Sequence, residues 1–251
     1  MLRINQLKLP VGHTPEQLKK KIIKSLQIRE RDLKQYSVRK RSIDARKKPE
    51  LYYVYSIDLT VENEARVLKC TKGRVQKVSE KPYRIPEHGK KKMSLRPVVV
   101  GSGPAGLFCA YLLALEGYRP LIVERGAPVR ERKADVEHFW ETGVLDPSSN
   151  VQFGEGGAGT FSDGKLNTLV KDTAGRNRFV LETFVSFGAP EDILWEQKPH
   201  IGTDILIDVV EAMRNRIIQL GGEFHFHSQV TDILPREGCL VINGREKIRT
   251  E

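Results

Sequence analysis

The sequence predicts an α/β fold made of two domains, and three observations lead to that prediction. Val98–Val100 is an apolar stretch that runs directly into a glycine-rich turn and an apolar helix-like segment, which is the order of a βαβ unit. Residues 1–80 alternate strand-like and helix-like patterns in the order βαββαβ. The two parts also differ in net charge: residues 1–96 hold 26 basic and 10 acidic side chains, whereas residues 97–251 hold 16 basic and 22 acidic ones.

The glycine-rich turn has the spacing of a dinucleotide-binding motif. In such a unit Gly101 would permit a tight turn, Gly103 would let the backbone approach a pyrophosphate, and Gly106 would let the helix pack closely on the strand. Pro104 and Ala105 begin the predicted helix, whose N–H groups and dipole favour phosphate. The pattern predicts a Rossmann-like domain at residues 97–251. A glycine turn that only joins a core strand to a core helix is the alternative.

Glu124 adds information about the nucleotide. It lies 18 residues beyond the last glycine of the motif, at the end of a strand predicted at 121–123. A carboxylate at this place can accept the hydroxyls of an adenosine ribose, and it favours FAD or NAD over NADP because it repels a 2′-phosphate. Arg125, Arg130 and Arg132 follow closely, and we expect at least one of them to contact phosphate or the adenosine edge. Surface arginines are the alternative.

A second glycine-rich stretch lies at 150–167. It has five glycines within eleven residues and is too rich in Phe153 and Phe161 to be a simple flexible linker. Its backbone can approach a flat ligand such as a flavin ring, and a lysine there favours negative charge on the reduced ring. A glycine-rich surface loop is the alternative. The candidates for cofactor contact in this stretch are Gly157, Ala158, Gly159, Thr160 and Lys165.

Residues 1–80 predict a small, basic α+β domain. Strands are expected at 2–9, 35–43, 51–61 and 74–78, and helices after the N-cap Thr14 and at 62–70. The order βαββαβ favours a ferredoxin-like fold. Residues 81–96 contain prolines, a glycine and a lysine run that interrupt any element, so a linker is expected there.

The basic patches 39–41 and 46–48 raise the question of a partner. Tyrosines on the neighbouring strand would suit RNA, but no glycine-and-aromatic RNA-binding motif accompanies them, so nucleic acid is the weaker interpretation. Docking of this basic domain on the acidic domain of the same chain, or on a partner subunit, is the stronger one. A basic surface that serves solubility alone is the third.

The rest of the chain predicts helices at 176–188 and 205–220, the second capped by Thr203 or Asp204. Strands at 223–233 and 239–242 are expected to form a hairpin near the edge of the main sheet. His200 lies in a Pro-His-Ile-Gly loop, where it is a candidate general acid or base, although a lone histidine is more often structural.

Several function classes are disfavoured by composition. The chain has no run of 18 apolar residues and no signal-peptide pattern, so we expect no membrane insertion and a cytoplasmic location. Its three cysteines are far apart and form neither a redox pair nor a metal-ligand spacing, and Cys109 is expected to pack in the core. We expect no metal site.

Four segments together resemble a known family. They are GSGPAG with Glu124, NVQFGEGGAGTFSDGKLN at 150–167, KPHIGTD at 198–204 and SIDARKK at 42–48. They are similar to the bacterial uncharacterised FAD-dependent dehydrogenases, or NAD(P)/FAD-dependent oxidoreductases, of the glutathione-reductase-like flavoprotein superfamily. The resemblance implies FAD with its pyrophosphate at 101–106, its ribose on Glu124, its ring near 156–165 and its adenine beside the backbone of Val230.

The resemblance also implies an enzyme that moves a hydride between FAD and either NAD(P)H or an unidentified small-molecule substrate. No second GxGxxG is visible, so NAD(P)H would be a transient donor, would bind elsewhere or would not be used. Family members are much longer chains, so we expect an N-terminal fragment that ends before the closing segments of the FAD domain. The alternatives are a basic binding module attached to a nucleotide-binding unit and a flavin-free NAD-dependent dehydrogenase.

Overall fold

The computed structural model describes residues 1–79, 82–87, 89, 92–162, 164–166, 168 and 170–250. Of the predicted segments, Lys81, His88, Lys90 and Lys91 of the linker and Asp163 and Asn167 of the second glycine-rich stretch lie outside the described residues. The elements in chain order are β1 (Leu2–Pro10), α1 (Pro15–Leu26), β2 (Leu33–Lys47), β3 (Glu50–Val61), α2 (Glu64–Cys70), β4 (Val75–Lys77), β5 (Val98–Val100), α3 (Pro104–Leu115), β6 (Leu121–Val123), α4 (Val129–Thr142), α5 (Arg176–Ser186), α6 (Thr203–Gln219), β7 (Glu223–His225), β8 (Val230–Leu234), β9 (Cys239–Ile242) and β10 (Glu246–Arg249).

The chain forms two compact units whose boundaries differ from the predicted domains. The first unit comprises Met1–Tyr83, Asn167–Glu182 and Glu191–Pro199, and the second comprises Arg84–Leu166, Thr183–Pro190 and His200–Glu251. Two segments that the sequence placed in the second domain thus belong to the first unit. Backbone pairing explains part of this: the Arg41 N–H donates to the Trp195 carbonyl at 2.7 Å, and the Gln197 N–H donates to the Arg41 carbonyl at 2.9 Å.

The first unit is built on a four-stranded antiparallel sheet of order β2-β3-β1-β4. Its helices and strands follow one another in the order expected from the sequence. Helix α1 begins as expected, because Thr14 and Gln17 form a capping box and Pro15 occupies the first turn. The helix buries Leu18, Ile22 and Leu26 in the apolar core of this unit, which also contains alternate residues of β1 and β3.

The second unit is a mixed α/β structure with a three-stranded parallel sheet of order β5-β6-β7. Helix α3 connects β5 to β6, and β7 joins the sheet from far along the chain. All three residues of β6 are buried, as expected for a strand of a parallel sheet covered on both faces. The carboxyl ends of β5 and β6 therefore meet at one edge.

The predicted hairpin forms, because β8 pairs with β9 in antiparallel register around residues 235–238. The strand predicted at 223–233 is interrupted, however, and the hairpin lies outside the parallel sheet β5-β6-β7. Strand β7 ends at His225, and His227 has a φ of 52°, which an extended strand does not allow. The His227 N–H instead donates to the Gly126 carbonyl at 3.1 Å. Residues beyond this turn form a separate antiparallel sheet of order β10-β9-β8.

Two smaller expectations are also wrong. Cys109 is exposed, because the buried positions of α3 are Leu107, Ala110 and Ala114. Helix α6 begins at Thr203 with Gly202 as its N-cap, and no side chain within the described part of the chain caps it. Over the same described residues, none of the helices combines the length and the apolar character needed to cross a membrane.

Candidate functional site

The first glycine turn brings the end of β5 and the start of α3 together. Gly101 has a φ of 88°, and its N–H donates to the Val123 carbonyl at 2.7 Å, which ties the turn to the end of β6. A Cβ on Gly106 would lie 1.9 Å from the Gly101 carbonyl oxygen. Only glycine therefore lets α3 start against this turn, as the sequence predicted.

The N-terminus of α3 is open. Gly103 is its N-cap, and no side chain among the described residues caps the helix. Pro104 and Ala105 in the first turn are exposed, so ligand atoms have access to the N–H groups and to the positive end of the helix dipole. This arrangement suits an anion such as a pyrophosphate.

Glu124 is buried at the end of β6, with 6% of its surface exposed. Its carboxylate accepts from the Ser102 N–H at 2.7 Å, the Ser102 hydroxyl at 3.0 Å and the Gly126 N–H at 3.0 Å. A carboxylate has about four acceptor positions. Glu124 can therefore accept one further hydrogen bond while keeping the three it has. The sequence predicted that it accepts two hydrogen bonds from the ribose, so one of these would have to replace a present bond.

A cleft of about 260 Å³ opens beside these groups. Its volume lies just below the roughly 300–1,000 Å³ of small-molecule sites, so it suits part of a dinucleotide. The Arg125 guanidinium lies 4.0 Å from the centre of the Phe153 ring on one side of the cleft. The lining residues are Val100, Gly101, Gly103, Val123, Glu124, Arg125, Gln152, Phe153, Gly154, Gly157, Ser228, Gln229 and Val230.

The second glycine-rich stretch forms a wall of the cleft and packs directly against the first motif. The Gly156 N–H donates to the Ser102 carbonyl at 2.9 Å. A Cβ on Gly157 would lie 2.9 Å from Pro104 Cδ and 3.2 Å from Gly103 Cα, so the two backbones meet where only glycine fits. The sequence predicted both stretches, and the structure brings them into contact.

Arg132 does not occupy the place expected for a residue that contacts the cofactor. Its side chain is fully buried under the second glycine-rich stretch. Its guanidinium donates to backbone carbonyls of that stretch, among them those of Asn150 and Val151 at 2.9 Å each and of Glu155 at 2.6 Å. The prediction of a phosphate contact is therefore not supported for Arg132, whereas Arg125 does line the cleft.

Glu155 is a buried carboxylate that the sequence reasoning missed. It is 0% exposed, and its Oε2 accepts from the Val129 N–H and from Arg214 Nη1, both at 2.7 Å. Its Oε1 has no hydrogen-bond partner among the described residues. Burial raises the pKa of Glu155 to about 7, although Arg214 and the Val129 N–H act in the opposite direction. An acid in the middle of a glycine run was the available signal.

Besides Pro104, Ala105, Gly106 and Arg132, five further predicted residues of the second unit do not line this cleft in the described part of the chain. Ala158, Gly159 and Thr160 belong to a short 3₁₀ turn, in which Thr160 is buried and the other two are exposed. Lys165 and His200 face each other in an antiparallel backbone bridge, and both residues are exposed. A ring site and an acid–base role at these positions stay predictions.

Comparisons with known proteins identify two segments. Residues 99–131, which span the glycine motif, Glu124 and the start of α4, match the family described as NAD(P)-binding Rossmann-like domain. Residues 1–60 match Domain of unknown function (DUF8436). The second unit therefore contains a segment similar to NAD(P)-binding Rossmann-like domains, and the match of residues 1–60 assigns no function.

Similar whole proteins are also known. An uncharacterized protein of Clostridium beijerinckii is 42% identical over 248 residues, which is 97% of this chain and 46% of that protein. The chain thus spans about half the length of this relative. Among solved structures, THI4 of Thermovibrio ammonificans is 18% identical with a TM-score of 0.34, over 59% of this chain and 47% of that one. L-amino acid deaminase of Proteus myxofaciens in complex with anthranilate is 15% identical with a TM-score of 0.29, over 68% and 47%. Both TM-scores are too low to assign a fold.

Proposed function

We propose that the cleft binds the adenosine diphosphate part of FAD and that the chain serves an FAD-dependent oxidoreductase. One observation carries this proposal. An open helix N-terminus, a buried carboxylate and a glycine wall meet at the carboxyl edge of a parallel sheet, around a cleft of nucleoside size. The match of residues 99–131 to an NAD(P)-binding Rossmann-like domain supports a dinucleotide as the ligand.

Each part of the cleft has a distinct task in this proposal. The first turn of α3 binds the pyrophosphate, and the remaining acceptor position of Glu124 takes one ribose hydroxyl. Glu124 disfavours a 2′-phosphate, which is why we propose FAD rather than NADP for this cleft. The segment 228–230 borders the cleft, and Val230 is proposed to contact adenine through its backbone.

The glycines at the cleft fit a pyrophosphate because they keep side chains out of its space. Among the described residues, a Cβ at Gly103 would meet only Gly157 Cα, at 3.8 Å, so no described atom forbids a side chain there. Space at Gly103 is thus available to a ligand rather than needed by the fold. Bound FAD would supply hydride transfer, while the chain holds and orients it.

The flavin ring is proposed to lie beyond the cleft, towards residues 157–165, with His200 near a small-molecule substrate. NAD(P)H stays the proposed transient electron donor. For the first unit we propose a ferredoxin-like classification, supported by its sheet order. The partner of its basic surface stays a prediction.

The test is a titration of the purified chain with FAD and, separately, with ADP, followed by calorimetry. We expect 1:1 binding of both ligands and competition between them. Gly103→Ala should weaken ADP binding at least about tenfold, or about 1.4 kcal/mol, with only a small loss of stability from replacing the N-cap glycine of α3. Gly12→Ala is the matched control, because a Cβ there would have no neighbour within 4 Å in the described part of the chain and Gly12 lies in the first unit.

Two results would contradict the proposal. A chain that binds neither FAD nor ADP near 1 mM, which is about −4 kcal/mol, lacks the site. Equal ADP affinity of the wild type and Gly103→Ala would place the ligand elsewhere.

A further inference from the structure

We infer that Arg132 is a positioning residue for dinucleotide binding, because its guanidinium holds the segment 150–157 in the shape that forms the cleft wall. This inference rests on the proposed function. It assigns Arg132 to the protein's own backbone rather than to the ligand. The segment 150–157 is called the wall segment below.

The contacts of Arg132 cover most of the wall segment. Nε donates to the Asn150 carbonyl and Nη2 to the Val151 carbonyl, both at 2.9 Å. Nη1 donates to the carbonyls of Glu155 at 2.6 Å and Gly157 at 2.9 Å. All three nitrogens of one side chain thus bond to backbone oxygens of a segment that has no regular secondary structure.

These bonds replace those that a helix or strand would provide. Carbonyl groups turned into the protein need donors, and a buried one without a donor is costly. The guanidinium offers five N–H groups in a rigid planar fork, so one side chain can satisfy several carbonyls at fixed angles. Lysine has a single nitrogen on a flexible stem and cannot reach the same set.

Arg132 and the glycines of the wall segment fit each other. Gly154 has a φ of 116°, and a Cβ on it would lie 2.4 Å from Arg132 Cδ. The segment therefore passes over the arginine stem at a distance that only glycine permits. The Arg132 guanidinium also lies 4.7 Å from the centre of the Phe161 ring, which extends the contact beyond the wall segment.

The wall segment connects Arg132 to the cleft. Gly154 and Gly157 line the cleft directly. Between them, the Glu155 N–H donates to the Ala127 carbonyl at 3.1 Å and the Gly156 N–H to the Ser102 carbonyl at 2.9 Å. The position of the wall relative to the first glycine motif therefore depends on the conformation that Arg132 stabilises.

The charge of Arg132 is compatible with this position. Burial lowers the pKa of Arg132 to about 10, whereas Glu124 and Glu155 raise it. The guanidinium therefore stays protonated near neutral pH and keeps all its donors. Its buried charge faces carbonyl oxygens, which carry partial negative charge.

The test compares Arg132→Lys and Arg132→Ala with Arg130→Ala. Arg130 lies on the same helix, but it is 61% exposed and pairs with Asp208 and Glu211, so it is the matched control. ADP affinity is measured by calorimetry. Backbone hydrogen exchange of the wall segment is measured without ligand. We expect both Arg132 variants to lose at least about tenfold in ADP affinity and to exchange faster at 150–157, with Arg130→Ala unchanged.

Chemical rescue separates positioning from a general loss of structure. Methylguanidinium at non-denaturing concentration should restore ADP affinity to Arg132→Ala, and it should change neither the wild type nor Arg130→Ala. Loss of affinity without rescue, wild-type affinity in Arg132→Lys, or failure of both Arg132 variants to fold would each overturn the inference. A wild type that binds no ADP refutes the proposed function instead, and hydrogen exchange of the ligand-free variants still decides whether Arg132 holds the wall segment.

Discussion

Replacing Gly157 by alanine is the substitution for which the structure gives the clearest magnitude. Gly157 has φ 67° and ψ −173°, a backbone conformation that is almost restricted to glycine. Forcing another residue into such a region costs about 1–3 kcal/mol. The added Cβ would also lie 2.9 Å from Pro104 Cδ, and overpacking of this kind costs about 1–3 kcal/mol more. The total is about 2–6 kcal/mol.

This cost appears either in stability or in ligand binding. If the backbone stays in place, we expect the unfolding temperature to fall by about 2–4 °C for each kcal/mol. If the wall moves away from Pro104, the cleft opens and ADP affinity falls about tenfold for each 1.4 kcal/mol. Scanning calorimetry and titration calorimetry with ADP measure the two terms on the same protein.

Gly159→Ala is the control for this experiment. Gly159 lies in the same stretch, but a Cβ there would have no neighbour within 4 Å among the described residues, and its φ is not in the positive range. We expect its stability and ADP affinity to stay within about 0.5 kcal/mol of the wild type. If Gly157→Ala behaves like Gly159→Ala in both measurements, the close approach of the two glycine-rich stretches is not part of the site.

Two further predictions concern buried carboxylates. Glu155→Gln should reduce the pH dependence of stability between about pH 4.5 and 7, measured by urea unfolding at several pH values. The pKa of Glu155 in the folded protein, about 7, exceeds its ordinary value of 4.5, so the native state binds more protons than the unfolded state in this range. Wild-type stability therefore falls as pH rises, and Glu155 contributes on the order of 3 kcal/mol to this fall. A wild-type minus variant difference that stays constant across the range would contradict this. Glu124→Gln turns an amide N–H₂ group towards the N–H groups of Ser102 or Gly126, so it should destabilise the protein by about 1–3 kcal/mol in thermal unfolding and weaken ADP binding. Unchanged ADP affinity would remove Glu124 from the site.

The parts of the site that depend on local sequence could be predicted. Gly101, Gly103 and Gly106 follow a short apolar strand, and their spacing alone defines the turn that the structure contains. Thr14 likewise defines the start of α1 because a capping box involves only neighbouring residues. Glu124 was found because it ends a strand whose partner is only one helix away.

The parts that depend on tertiary packing could not. Arg125 and Arg132 look equivalent in sequence, yet one lines the cleft and the other is fully buried under a backbone segment. The pattern of charges near a motif does not show which guanidinium will find carbonyl partners. The break in the strand predicted at 223–233 has a similar origin, since the positive φ of His227 accompanies the bond from its N–H to the Gly126 carbonyl, a contact distant in sequence. The place of residues 191–199 in the first unit was missed because it depends on backbone pairing of Trp195 and Gln197 with Arg41, a contact distant in sequence.

Hydrogen exchange with and without saturating FAD tests the central claim most directly, because it measures both binding and its location. We predict slower exchange at the amides of 101–106, 154–157 and 228–230, all of which border the cleft or its helix N-terminus. Amides of the sheet β2-β3-β1-β4 should be unaffected. Unchanged exchange at all three cleft segments would contradict the account, whether or not FAD binds elsewhere on the chain.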